Sequence, residues 1–146
     1  RDVELIQGAL PPDVMTSTGV TVNATAASTC AGKASVLKLT WTTSTLVTTG
    51  TNPGPPVTTT KSYEVDYVST VPAATPGVPP ALARLERFAY QKSGATCTLV
   101  SSRTLASSLS RTVLPVAAFD AATKTVTLTV ADSSGNKFEV RAKERS

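Results

Sequence analysis

Glu64 and Asp66, two residues apart in the run Tyr63-Glu64-Val65-Asp66-Tyr67, come closest in this chain to an acid–base arrangement. On an extended strand they share one face, where neighbouring carboxyls can push each other's pKa values apart. The simpler reading is a solvated face opposite Tyr63, Val65 and Tyr67, and that is the expectation. Nucleophilic catalysis has less to work with. The chain contains no histidine, so neither a Ser–His nor a Cys–His pair can be assembled. Asp132-Ser133-Ser134-Gly135-Asn136 has the flavour of a calcium loop, but it lacks the carboxylate count and the bidentate acid of a tight Ca²⁺ site. It reads as a hairpin turn. No catalytic residue, cofactor site or metal site is expected, and no small-molecule substrate.

The two cysteines, Cys30 and Cys97, lie 67 positions apart, which excludes a C-x-x-C redox or zinc signature. In a Thr/Ser-rich chain a disulfide between them is the better reading, with two buried free thiols as the alternative. Two basic sets, Arg84/Arg87/Lys92 and Arg141/Lys143/Arg145, would form a phosphate-binding stripe if their strands were adjacent. Glu86, Glu139 and Glu144 are interspersed among them, which points to ion pairs and disfavours DNA as a partner. Tyr63, Tyr67 and Phe88 could stack on sugars or bases, but on alternating strands such residues more often belong to the core. Asn23-Ala24-Thr25 fits the N-glycosylation pattern and is expected to be a chance match.

These residues need elements to position them. The 146 residues fit one domain, with a net charge of +4 and charged residues at only 16%. Val36 to Thr43 alternates Leu37, Leu39 and Trp41 against Lys38, Thr40 and Thr42, the pattern of a half-buried strand. Ser62 to Ser69 repeats it. Trp41, Tyr63 and Tyr67 are the expected core anchors. Gly19 to Ala24 is a short strand, Arg84 to Lys92 a further one with imperfect alternation, and Leu105 and Leu109 predict one helical turn. The clearest hairpin joins Val126/Leu128/Val130 to Phe138/Val140/Ala142 through the Asp132–Asn136 turn. Arg1 to Leu10 reads as a helix end with an apolar stripe of Val3, Ile6 and Leu10, stopped by Pro11-Pro12. Two Pro-rich connections, Gly50 to Thr60 and Val71 to Pro80, are long for hairpins. Asn52, Pro53, Pro55, Pro76 and Pro79 at their tips are the candidate partner contacts. No run of about 18 apolar residues occurs, so no membrane span is read here.

Taken in order, an R-D-V helix end, C-x-G followed by V-L-x-L-x-W-T, a Y-x-V-x-Y strand, an L-x-R strand and V-T-L-T-V-x-D-x-S-G before the last strand resemble actinobacterial type IV pilin-like proteins. The nearest comparison is the minor pilin or J-type pseudopilin class. The resemblance implies an α+β, pilin-like fold: the helix end at 1–10 packed on a mainly antiparallel sheet over 19–146, together one domain. It also implies that the hallmark apolar helix and its processing site precede Arg1 and have been removed. The function implied is non-enzymatic assembly of a type IV pilus or related secretion filament. Partners would be other pilin or pseudopilin subunits. The membrane would be reached through the missing helix, and the location would be extracellular or at the cell surface, membrane-anchored before assembly. A secreted β-sandwich adhesion or carbohydrate-binding module is the alternative.

Overall fold

The computed structural model describes residues 2–47, 54 and 57–145. One helix, α1 (Asp2–Thr16), is followed by eight strands among these residues: β1 (Gly19–Val22), β2 (Leu37–Val47), β3 (Val57–Thr70), β4 (Ala83–Ser93), β5 (Thr96–Leu109), β6 (Val116–Asp120), β7 (Thr125–Ala131) and β8 (Lys137–Lys143). They form two antiparallel sheets, one ordered β1-β2-β3-β4-β5 and one ordered β6-β7-β8. The helix packs against β8 of the smaller sheet and against β5 and β2 of the larger. The expected α+β class holds.

The expected stripe on α1 is present and longer than read from sequence. Ile6, Leu10 and Val14 are fully buried, with Val3 packed at the edge of the same cluster. Pro11 and Pro12 do not stop the helix, contrary to expectation: both lie inside it. A proline removes the bond to the carbonyl four residues back, here those of Gln7 and Gly8. Both residues are exposed, so water can serve the freed carbonyls. Burial of Leu10 and Val14 on either side keeps the segment helical. The end is capped by Thr16 Oγ1, which donates to the Pro12 carbonyl at 2.8 Å, and by Ser17 Oγ, which donates to Val14 O at 2.9 Å.

The larger sheet buries Leu37, Leu39, Val65, Tyr67 and Leu85 in the core shared with α1. Of the three expected anchors only Tyr67 is central. Trp41 and Tyr63 are half-buried and stack on each other, centroids 5.5 Å apart. They lie on the same face as Tyr67 but farther along the strands, where the sheet runs out into a free arm. The β3–β4 pairing ends at Ser62↔Lys92, so the last five β2–β3 pairs, Thr43↔Lys61 to Val47↔Val57, form a two-stranded ribbon. Its threonines suit extended backbone, which is why both strands outrun the apolar patterns that reveal them in the sequence. Val57–Thr60, expected as loop, is strand for this reason.

Leu105 and Leu109 form no helical turn. Both are buried in β5, where two register shifts against β4 break the alternation: Ala106 and Leu109 pair with Leu85 and Ala83, and Leu105 is the extra residue between the Thr104 and Ala106 pairs. β6 escaped the sequence reading because its alternation rests on one small residue, buried Ala117, and on half-buried Phe119. The C-terminal hairpin is as expected, with Asp132 Oδ1 accepting from the Ser134 and Asn136 amides, both at 2.9 Å. Gly135, at φ 87°, takes a conformation that favours glycine.

The two sheets are joined at β1 and β6. Asn23 Nδ2 donates to the Ala117 carbonyl at 2.6 Å, and Ala117 N–H donates to Asn23 Oδ1 at 2.9 Å. The side-chain amide thus serves an edge strand as a backbone peptide would. Among the described residues no helix is long and apolar enough to cross a membrane.

Candidate functional site

Glu64 and Asp66 do not face solvent, contrary to expectation. Glu64 is 2% exposed and Asp66 0%. They point away from α1, because Val65 and Tyr67 alternate with them on the core face. The register places Thr40 and Tyr90 beside Glu64, and Lys38 and Phe88 beside Asp66. What seals this second face is the connection between β1 and β2. Residues 23–36 form a small flap whose base is held by Asn23 N–H donating to Val36 O at 2.7 Å and Ala24 N–H to Ser35 O at 3.0 Å. Its own hairpin is closed by the Ala27↔Ala34 bridge and by Ser28 N–H donating to Lys33 O at 2.9 Å. Gly32, at φ 67°, makes the turn.

The flap tip is fixed by the Cys30–Cys97 disulfide, which bears out the expected bridge. Cys97 pairs in register with Lys92, on the same face as Tyr90 and Glu64. The flap therefore leaves the sheet at β2 and is tied at β5. With strands about 4.8 Å apart, it must cross β3 and β4, and the carboxyl pair lies beneath it. The alternation of Glu64 and Asp66 with core residues is visible in sequence; that a loop more than twenty-five residues earlier covers them is not. The cysteine separation was the only signal that could have linked the two regions.

Ser35 Oγ donates to Asp66 Oδ1 at 2.5 Å, and Lys92 Nζ lies 3.7 Å from Glu64 Oε1. The other oxygens, Glu64 Oε2 and Asp66 Oδ2, are buried without a partner. Burial pushes the Asp66 carboxyl up to about 7; the hydrogen bond of its acid form to the Glu64 side chain and the Glu64 charge act in the same direction, against the Ser35 bond and the Lys38 charge. Tyr90 is raised too, by burial first and then by the charges of Asp66 and Glu64. Chemically, the arrangement can hold a proton between two carboxyls. Among the described residues no group of three or more His, Cys, Asp or Glu side chains could hold a metal ion.

A second polar cluster fixes the helix. Tyr67 Oη donates to Asp13 Oδ2 at 2.6 Å, and Arg87 reaches both Asp13 oxygens. Burial is the main reason the Tyr67 hydroxyl is held far above its ordinary range, with Asp13 adding to it. Arg87 is raised chiefly by its hydrogen bonds to Asp13.

Comparisons of this chain with family models, with characterised proteins and with solved structures return no match.

Pro76 and Pro79 are exposed in the connection between β3 and β4. Asn52, Pro53 and Pro55 lie outside the described residues. The two basic sets do not form one stripe, because β4 and β8 belong to different sheets. Arg87 is turned to Asp13 and Lys92 to Glu64, while Arg84–Glu86 at 3.9 Å and Arg141–Glu139 at 3.1 Å pair along their own strands. An open groove of about 710 Å³ lies between Val3 and Leu5 of α1, Leu105 of β5 and Phe138 of β8. Among the described residues its one titratable lining residue, Asp132, is already used in the turn.

Proposed function

We infer that this protein is a non-enzymatic filament subunit of the minor pilin or J-type pseudopilin class, acting by assembly and surface presentation. The observation that carries the reading is the seating of α1. Its apolar stripe is buried against both sheets, and Asp13 is bonded to Tyr67 and Arg87, so the helix is fixed to the β body rather than appended to it. A helix used as an assembly spine must transmit load to its body, and a buried stripe plus a charged clamp does that. The disulfide fits an oxidising, extracellular setting. The Thr-rich arm of β2 and β3, with Leu46 70% exposed, and the exposed Pro76/Pro79 connection are the surfaces such a subunit would present. A free-standing β module has no need of a helix so attached.

The test is to follow the native protein in its own cells. Recovery in sheared surface filaments, with a mature N-terminus that begins an apolar helix and carries N-methylation, is the expected result. Recovery only as a freely secreted protein with an ordinary signal-peptidase terminus would overturn the reading.

A further inference from the structure

The sealed face of the larger sheet has features that a purely structural role does not require. Two carboxyls lie side by side under a covalently tied flap, each with one oxygen partnered and one buried oxygen unpartnered. An apolar pair would seal the same face without leaving buried acceptors unsatisfied. The two side chains are within hydrogen-bonding reach of each other, so one proton on the pair lets an acid donate where two carboxylates can only accept.

We propose that Glu64 and Asp66 form a proton-operated latch for the 23–36 flap: the closed flap retains one proton between the two carboxyls, and losing that proton loosens the flap against its disulfide tether. The facing groups make the balance specific. From β2 comes Lys38, from β4 Tyr90 and Lys92, and from the flap the Ser35 hydroxyl; Lys33, on the flap, is exposed. Lys92 answers the single charge of the protonated pair at 3.7 Å. After deprotonation two negative charges stand under the flap, and the cheapest relief is water entering as the flap lifts. The Cys30–Cys97 bridge keeps the tip in place, so the movement falls on the arms on either side of Cys30, including the one that carries Ser35.

The direction with pH follows from linkage. The closed state binds the Asp66 proton more tightly than an open, hydrated carboxyl does. Closure is therefore favoured most below the ordinary carboxyl range and weakens as pH rises to about 7, beyond which the effect levels off. This latch does not depend on the filament reading.

The experiment is hydrogen–deuterium exchange of the oxidised protein between pH 4.5 and 8.5, corrected for the intrinsic pH dependence of amide exchange. Corrected exchange in 24–35 should rise by up to roughly tenfold per pH unit to about pH 7 and then plateau, while amides of β7 stay unchanged. Asp66→Asn, which mimics the protonated carboxyl, should abolish the slope. A flat profile in the native protein, or the same slope in D66N, would overturn the proposal. Carbon-13 NMR of the native side-chain carboxyls is independent of whether the variant folds. Asp66 should titrate above pH 6, and its titrating below pH 5 would equally sink the latch.

Discussion

Arg87 of β4 grips Asp13 of α1 through two parallel bonds, Nε to Oδ2 at 2.6 Å and Nη2 to Oδ1 at 2.7 Å. Both groups are largely removed from water, and Asp13 Oδ2 also accepts from the Tyr67 hydroxyl. The geometry matches the planar fork of a guanidinium to a carboxylate, which a lysine cannot reproduce. This contact locks the register of the helix against the sheet, at the point where two prolines weaken the helix backbone.

Removing Arg87 strands the Asp13 charge in the interior. Arg87→Ala should destabilise the fold by about 3 kcal/mol or more, the typical cost of breaking a buried pair from one side. Arg87→Lys should recover less than half of that. Urea unfolding monitored by Trp41 fluorescence reads both, and equal stabilities for the native protein and R87A would show that the pair contributes nothing.

Shortening the buried stripe should cost far more than altering the exposed side of the same helix. Leu10→Ala should lose about 2–5 kcal/mol, as large-to-small core changes do. Met15→Ala, at a residue 46% exposed, should stay within about 0.5 kcal/mol of the parent. Thermal or urea unfolding of the two variants side by side is the check, and similar losses from both would contradict the seating of α1.

The disulfide closes a segment of 67 residues. On the chain-entropy model its removal should cost about 4 kcal/mol. The Cys30→Ser/Cys97→Ser double variant should unfold at correspondingly lower denaturant. The native protein should resist thiol alkylation until it is reduced; two alkylated cysteines in untreated native protein would rule the bridge out.

Asn23 joins the two sheets while holding φ at 49°. Asn23→Ala loses both side-chain bonds and strains a left-handed position, and should cost about 2–4 kcal/mol in all. Asn23→Gly relieves the strain but not the lost bonds, so it should recover roughly 1 kcal/mol. Equal losses from the two variants would show that backbone conformation plays no part there.

How far the fold was legible varies with the kind of residue involved. Leu37/Leu39, Val65/Tyr67 and Val126/Leu128/Val130 announce strands because each buries one face, and burial imposes period two on the sequence. Ile6 and Leu10 announce the helix in the same way. The outer halves of β2 and β3 carry no such signature, since a threonine ribbon open to water is under no pressure to alternate. Pro11-Pro12 misled for a related reason: local preference says stop, while the burial of Val14 and the clamp on Asp13 say continue, and only the second is decided at a distance.

What the chain determined by itself was a class: an apolar-striped helix, antiparallel strands, no histidine chemistry, and two cysteines best explained as a bridge. What the tertiary structure alone decided was the environment of Glu64 and Asp66. Alternation assigns a side chain to a face but cannot say what covers that face. Here the cover is a loop from the other side of β2, drawn across three strand spacings by a bond to β5, and it turns a pair that alternation alone would leave in solvent into a buried one.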